Sequence, residues 1–158
     1  MFDFSSVQVG DGRTRPFELV DLPGIGGEGH PILHLAYAGS DNEDYIRSIV
    51  SDPTQYERDD PGDRGNLTPL QRGNLEIQER RRSIETTAAH FATSIIKGWE
   101  NLPQADGTAA PYSPDAARDL MLQLPAWIRA KIISFAGNPA NFVGSGAAAI
   151  DAGAAGKP

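Results

Sequence analysis

The sequence predicts a mainly helical α+β domain: a small N-terminal antiparallel sheet, three to four amphipathic helices, and a disordered C-terminal tail. Two strand-length apolar runs lie near the N-terminus, helix-start signatures recur after them, and a Gly/Ala-rich stretch closes the chain. We therefore expect one domain over residues 1–142, with a β-rich part at 1–38 and a helical part at 39–142. Residues 143–158 are expected to form a flexible tail, because they offer too little apolar surface to bury.

The first two elements are predicted strands joined by a glycine-rich loop. Residues 16–20 and 31–37 are the strands, and the second alternates between two faces. Residues 24–29 match the G-x-G-x-x-G fingerprint of dinucleotide binding. That fingerprint requires a helix directly after it, whereas a strand follows here. We interpret the stretch as a loop between strands.

A capping box predicts the first helix. Ser40 is followed three residues later by Glu43, and apolar residues then recur at helical spacing. The helix is expected over 41–51, since Pro53 cannot continue it. Residues 53–67 combine proline, glycine and many charges and are predicted to be a mobile loop.

A second capping box, Thr68 with Gln71, precedes a long amphipathic helix predicted over 74–93. Its apolar stripe consists of Ile77, Ile84, Ala88, Phe91 and Ile95. Residues 94–99 fit two structures equally well. They either continue the helix or form a strand that enters a hairpin through the Asp-Gly turn at 106–107.

The helix at 74–93 carries three consecutive arginines among acidic residues. Pairs at i,i+4 are predicted between Glu76 and Arg80 and between Arg81 and Glu85. This pattern is typical of a solvated helix face, and a contact for an acidic partner is the alternative.

Two more helices follow, the first capped by Ser113 and the second beginning at Pro125 and ending at Gly137. Their apolar residues are expected to pack on the stripe of the long helix. They are Leu120, Leu124, Trp127, Ile128, Ile132 and Phe135. If Trp127 is a core anchor, Trp127→Ala should cost ~3–5 kcal/mol.

Composition disfavours several functional classes. The 158 residues carry a net charge of −7, which repels phosphate backbones and disfavours general nucleic-acid binding. The chain has no cysteine, which excludes disulfides and thiolate metal sites. No apolar run approaches the ~20 residues of a membrane span, and the N-terminus lacks a signal-peptide pattern. A soluble cytoplasmic protein that needs no membrane is the expectation.

Catalytic and metal-binding patterns have little support. His30 and His34 are spaced as metal ligands would be on a helix, but on the predicted strand they lie about 13 Å apart. No G-x-S-x-G motif and no cysteine nucleophile is present. We expect no catalytic residues, no cofactor and no metal, and hence a protein that is not an enzyme.

Five aromatic residues are candidates for binding another protein, since aromatic side chains dominate binding hot spots. They are Trp99, Tyr112, Trp127, Phe135 and Phe142. Core anchoring is the simplest alternative role for the two tryptophans and Phe135.

Residues 91–142 resemble the tail assembly chaperones of long-tailed double-stranded-DNA phages. The motifs that carry the resemblance are Gly-Trp at 98–99, Asp-Gly at 106–107, Pro-Tyr-Ser at 111–113, Leu-Pro at 124–125 and Asn-Phe at 141–142. These are packing and turn motifs, and they occur in the family's order.

The resemblance implies a non-enzymatic chaperone that binds the tape measure protein and helps to recruit tail tube protein. It implies a location in the host cytoplasm during assembly and absence from the mature virion. It also implies a longer, frameshifted form of the same protein, for which Gly156-Lys157 can be encoded by slippery codons. Two other classes stay open: a virion structural protein, such as a minor tail or head–tail connector subunit, and an enzyme or small-molecule binder.

Overall fold

The computed structural model describes residues 13–51 and 64–143. Most of the predicted loop at 53–67 and nearly all of the predicted tail at 143–158, including the predicted frameshift site, lie outside the described residues. In chain order the elements are β1 (Thr14–Glu18), β2 (Ile32–Ala36), α1 (Glu43–Val50), α2 (Pro69–Ser94), β3 (Ile96–Glu100), α3 (Pro114–Gln123) and α4 (Ala126–Gly137). The predicted α+β class, with a small antiparallel sheet and four helices, is confirmed.

The three strands form one antiparallel sheet in the order β1-β2-β3. Leu33 of β2 lies opposite Phe17 on one side and opposite Trp99 on the other. Of the two structures predicted for 94–99, the strand forms, as Ile96–Glu100, while Ser94 ends α2. This strand pairs with β2, and across the Asp-Gly turn there is a single bridge between Pro103 and Ala109. A register shift between His34 and Leu35 interrupts the β2–β3 pairing.

The start of α1 differs from the prediction. Asn42, not Ser40, is its N-cap, and the Asn42 side chain accepts a hydrogen bond of 3.1 Å from the backbone N–H of Tyr45. Asn42 also donates to the Tyr37 carbonyl at 2.8 Å. This second bond favours Asn42 over Ser40. The Asn42 amide accepts through its oxygen and donates through its nitrogen, so it reaches two partners at once, whereas a serine hydroxyl has one oxygen for both roles.

Helix α2 is longer than predicted. The capping box of Thr68 and Gln71 is present in full, and the helix begins at Pro69 and runs for 26 residues. Gly73 does not interrupt it, since one glycine in a helix costs only about 1 kcal/mol relative to alanine.

The core fills the space between one face of the sheet and the helices. Its larger buried members are Leu19, Leu33, Leu35, Phe91, Ile95, Ile96, Met121, Leu124, Ile128 and Ile132. The predicted packing of α3 and α4 on the α2 stripe is therefore confirmed for Ala88, Phe91 and Ile95.

Two residues expected in this core lie outside it. Trp127 is 54% exposed and Ile84 is 37% exposed. Ile128 and Ile132 occupy the inward positions of α4, so the preceding residue lies ~100° around the helix and faces outward. Ile84 precedes the part of α2 whose residues join the core, which begins at Ala88.

The predicted ion pairs on α2 are not formed in the described part of the chain, neither Glu76 with Arg80 nor Arg81 with Glu85. All four side chains lie on exposed residues, where such pairs stabilise by less than ~1 kcal/mol and long side chains retain their freedom.

Candidate functional site

A groove of about 580 Å³ lies between the end of β1 and helix α4. Phe17, Leu19, Ile128 and Phe135 contribute its apolar lining, and Val20 lies at its edge with 57% of its surface exposed. Glu18, Asp21, Ala130, Lys131, Ser134, Asn138 and Asn141 complete the lining. The groove is thus a place where the hydrophobic core reaches the surface.

The apolar lining is supported by phenylalanine rings in contact with one another. The rings of Phe17 and Phe135 lie 5.1 Å apart, and Phe135 contacts Phe142 at 5.8 Å in an edge-on arrangement. Phe142 is completely buried and also contacts Tyr37. Because edge-on and tilted ring pairs pack favourably, the groove has a preformed apolar base.

Lys131 organises the edge of the groove. Its Nζ lies 2.8 Å from Oδ2 of Asp21, which joins α4 to the segment after β1. The same Nζ lies 4.9 Å from the centre of the Trp127 ring. The exposed ion pair contributes little to stability, and the cation–π contact puts the Trp127 ring against Lys131, which lines the groove.

Two amide side chains that line the groove bond to the protein itself. Asn141 Nδ2 donates to the Phe135 carbonyl at 3.0 Å, and Asn138 Oδ1 accepts from the Ala140 N–H at 3.0 Å. These bonds shape the turn at Pro139–Asn141. Asp21 and Lys131 are also paired to each other, which leaves a surface formed by the apolar side chains together with Glu18 and Ser134.

Trp99 and Tyr112 lie together on a different element. Their rings are 5.1 Å apart and nearly perpendicular. Trp99 Nε1 donates to the Ala110 carbonyl at 2.8 Å, and the Tyr112 hydroxyl donates to the Ile96 carbonyl at 2.7 Å. The two residues therefore hold the segment after β3 against that strand.

The segment that they hold contains the predicted Asp-Gly turn. Gly107 adopts a positive φ of 84°, and Pro103 pairs with Ala109 across the turn. Asp106 accepts from both the backbone N–H and the hydroxyl of Thr108, at 3.0 and 2.6 Å. These bonds lower the pKa of Asp106 below its ordinary value, with the Thr108 hydroxyl as the largest cause.

The five predicted aromatics thus divide into separate groups. Phe135 lines the groove, Trp127 lies against Lys131 beside it, Phe142 lies buried beneath Phe135, and Trp99 and Tyr112 pack on β3. In this conformation a partner cannot reach Phe142, because its side chain has no exposed surface.

Sequence reasoning missed the β1 side of the groove, above all Val20 and Asp21. One signal was present: Leu19 and Val20 are consecutive apolar residues. Both residues follow the end of β1 at Glu18, and the chain turns at Val20, where the Leu22 N–H donates to the Leu19 carbonyl at 3.0 Å. Leu19 is buried and Val20 is exposed.

The histidines and the glycine-rich stretch have structural partners. His30 Nδ1 lies 2.8 Å from the Leu22 carbonyl, and His34 Nε2 lies 3.1 Å from Glu100 Oε2. Residues 24–29 form a loop between β1 and β2, as interpreted from the sequence, and Asn101 Nδ2 donates to the Glu28 carbonyl there. Within residues 13–51 and 64–143, no three His, Cys, Asp or Glu side chains are grouped to hold a metal ion.

None of the helices described here has the length and apolar character to cross a membrane.

Comparison with known proteins places the chain in one family. Residues 42–151, which begin just before α1, match the sequence model of the YdaY prophage protein family. No curated protein and no solved structure matches the chain. Because the family match spans more than half of the 158 residues, this protein is of phage origin and belongs to the YdaY prophage protein family.

Proposed function

We propose that this protein is a phage tail assembly chaperone that holds an apolar segment of the tape measure protein in the groove beside α4. The observation that carries the proposal is the exposed indole of Trp127, which contacts Lys131 in the lining of an apolar groove. Tryptophan residues with a solvent-facing ring beside a preformed apolar pocket are typical of binding hot spots. Membership of a prophage family and the resemblance to tail chaperones support the same function.

The groove favours a protein client over a small ligand. A small-molecule site uses a few polar groups that converge on the ligand. Here Asn138, Asn141, Asp21 and Lys131 bond to other parts of the protein, as described above. What remains is an apolar surface between a strand end and a helix, with Glu18 and Ser134 beside it, which suits the apolar face of an amphipathic helix.

The proposed role is non-enzymatic and is carried out in the host cytoplasm during assembly. Burial of apolar surface supplies the binding free energy and keeps the client from aggregating. The net charge of −7 keeps the complex soluble and favours basic or polar surfaces on the client and on the tail tube protein.

Co-expression tests the proposal. The tape measure protein from the same phage genome is produced alone, with the wild-type chain, and with a Val20→Ala, Trp127→Ala variant. We expect the soluble fraction to rise with the wild type and to fall back with the variant. Val50→Ala is the matched control, since Val50 is equally exposed at 60% but lies on α1.

A tape measure protein that is just as soluble alone would contradict the chaperone function. Mass spectrometry of purified particles tests the virion structural alternative. A fixed stoichiometric amount of this chain in mature tails would favour a minor tail or connector subunit instead.

A further inference from the structure

The N-terminal part of α2 extends beyond the core. We define the α2 arm as residues 69–85, which precede the buried part of the helix and span ~25 Å. Apart from Gly73 and Leu75, which are half-buried, every residue of the arm is exposed. A helix that is exposed over this length gains little stability from packing within its own domain.

An apolar stripe runs along the arm. Leu70, Ile77 and Ile84 are 74%, 57% and 37% exposed. They are spaced by seven residues, or two helical turns, and therefore share one face. The same face carries Ala88, Phe91 and Ile95 in the buried part of the helix.

Helix α1 covers only the buried part of α2. Asn42 lies 3.4 Å from the Ser94 carbonyl, and the rings of Tyr45 and Phe91 are 6.3 Å apart. The two helices therefore run antiparallel from the C-terminal end of α2. An eight-residue helix is only ~12 Å long, so α1 ends before it reaches the arm.

We propose that the α2 arms of two copies of this chain pair antiparallel about a two-fold axis at Ile77. In this arrangement Ile77 meets the partner's Ile77, and Leu70 meets the partner's Ile84 at either end. Three apolar layers are thereby buried. The interface is isologous, so each contact away from the two-fold axis occurs twice.

The charges beside the stripe fit this arrangement. Glu76 and Arg80 flank one side of the stripe, and Asn74 and Arg81 flank the other, by the 100° rotation per residue. Antiparallel pairing brings like flanks together. Arg80 then lies within ~3 Å along the axis of the partner's Glu76, and Arg81 lies within ~1.5 Å along the axis of the partner's Asn74. The two copies of Glu76 are also ~3 Å apart along the axis, so one like-charge contact accompanies the two contacts between Arg80 and Glu76. Gly73, which has no side chain and lies on the same flank as Arg80, leaves room for the Arg80 side chain of the other copy.

Parallel pairing of the same stripe is disfavoured. It brings opposite flanks together, so Arg80 would face the partner's Arg81 at the same level. Like charges held this close repel. Antiparallel pairing, with two opposite-charge contacts against one like-charge contact, is therefore the favoured direction. This match between the stripe and its own flanks favours a second copy as the occupant.

The interface is small. Two ~25 Å helices bury less than the ~1,600 Å² of a standard stable interface. We therefore expect a monomer at low concentration and a dimer within the micromolar range.

Sedimentation equilibrium on the full chain measures the dissociation constant. Arg80→Glu and Glu76→Arg should each raise it about tenfold or more, because both symmetric contacts change from attraction to repulsion. The double variant should restore it. Arg82→Glu is the matched control: it makes the same charge change on the far side of the arm and should leave the constant unchanged. Circular dichroism checks that each variant is folded.

Disulfide trapping tests the direction of pairing, which the absence of native cysteine makes simple. Mixing Leu70→Cys with Ile84→Cys chains should give the mixed disulfide as the main product, and Leu70→Cys alone should cross-link poorly. A chain that stays monomeric into the millimolar range would overturn the proposal. So would efficient cross-linking of Leu70→Cys with itself, or failure of the double charge reversal to restore pairing.

Discussion

Trp127→Ala should weaken client binding far more than it weakens the fold. The Trp127 side chain is 54% exposed, so truncation removes about half of the contact area that a buried indole would lose. The further loss is the contact with Lys131 at 4.9 Å, worth ~0.5–1 kcal/mol at an exposed site. We expect a destabilisation of about 1–2 kcal/mol, below the ~3–5 kcal/mol of a buried aromatic.

The effect on binding should be larger. An exposed tryptophan beside an apolar groove that acts as a hot spot contributes ~2 kcal/mol or more, which is about thirtyfold in affinity. Isothermal titration with a soluble apolar segment of the tape measure protein measures the affinity. Urea denaturation of the free chain measures the stability.

Two substitutions calibrate the result. Ile132→Ala removes a fully buried side chain of the same helix and should destabilise by ~2–5 kcal/mol. Val50→Ala removes an exposed apolar group on α1 and should change neither quantity by much. If Trp127→Ala destabilises as much as Ile132→Ala, or leaves the affinity unchanged, the assignment of Trp127 to the client surface is wrong.

Two further predictions concern the segment after β3. Tyr112→Phe removes the 2.7 Å hydrogen bond to the carbonyl of fully buried Ile96. We expect the free energy of unfolding, measured by urea denaturation, to fall by about 1–3 kcal/mol. An unchanged midpoint would show that the bond does not stabilise the fold. Asp106 has a pKa below its ordinary value of 3.8, because Thr108 donates to the charged carboxylate. The stabilisation of the fold by the charged Asp106 carboxylate is therefore fully present above pH 3.8 and is lost as the pH falls through the lowered pKa. Carboxyl NMR should show this lowered pKa in the wild type and a smaller lowering in Thr108→Ala, which loses the hydroxyl donor but keeps the backbone N–H of residue 108. An ordinary pKa of Asp106 in the wild type would contradict the prediction.

Elements defined by local interactions were predictable from the sequence. The capping box of Thr68 and Gln71 and the Ser113 cap depend on side chains that bond three residues away, so their pattern is visible in the chain. The choice of Asn42 over Ser40 was not, because Asn42 bonds to Tyr37 and approaches Ser94, 52 positions away. Local propensity leaves such competing caps open, and tertiary contacts decide between them.

Exposure was harder to predict than periodicity. The stripe of α2 is correctly placed on one face, but a stripe does not reveal how far neighbouring helices extend along it. Ile77 and Ile84 are exposed because α1 and the core packing reach only the later turns. The outward position of Trp127 follows likewise from the orientation of α4, which Ile128 and Ile132 set.

Half of the groove was visible in the sequence. Trp127 and Phe135 were candidates because aromatic residues are common in binding sites. Asp21 pairs with Lys131 across 110 positions of the chain, so no local pattern joins them. The groove exists only because β1 and α4 meet in the folded domain.

The two proposed surfaces lie on different elements, the groove at β1 and α4 and the pairing stripe on the α2 arm. A dimer would therefore present two grooves to one client. If the tape measure protein contains several apolar segments, one groove binds the first segment and the other groove can bind a second. The client's own chain holds this second segment at a high effective concentration, so the dimer binds the whole client more tightly than a single groove does. Arg80→Glu, which is remote from the groove, should then weaken retention of the long client and leave binding of a single segment unchanged. Equal retention of the long client by the wild type and this variant would show that each copy acts alone.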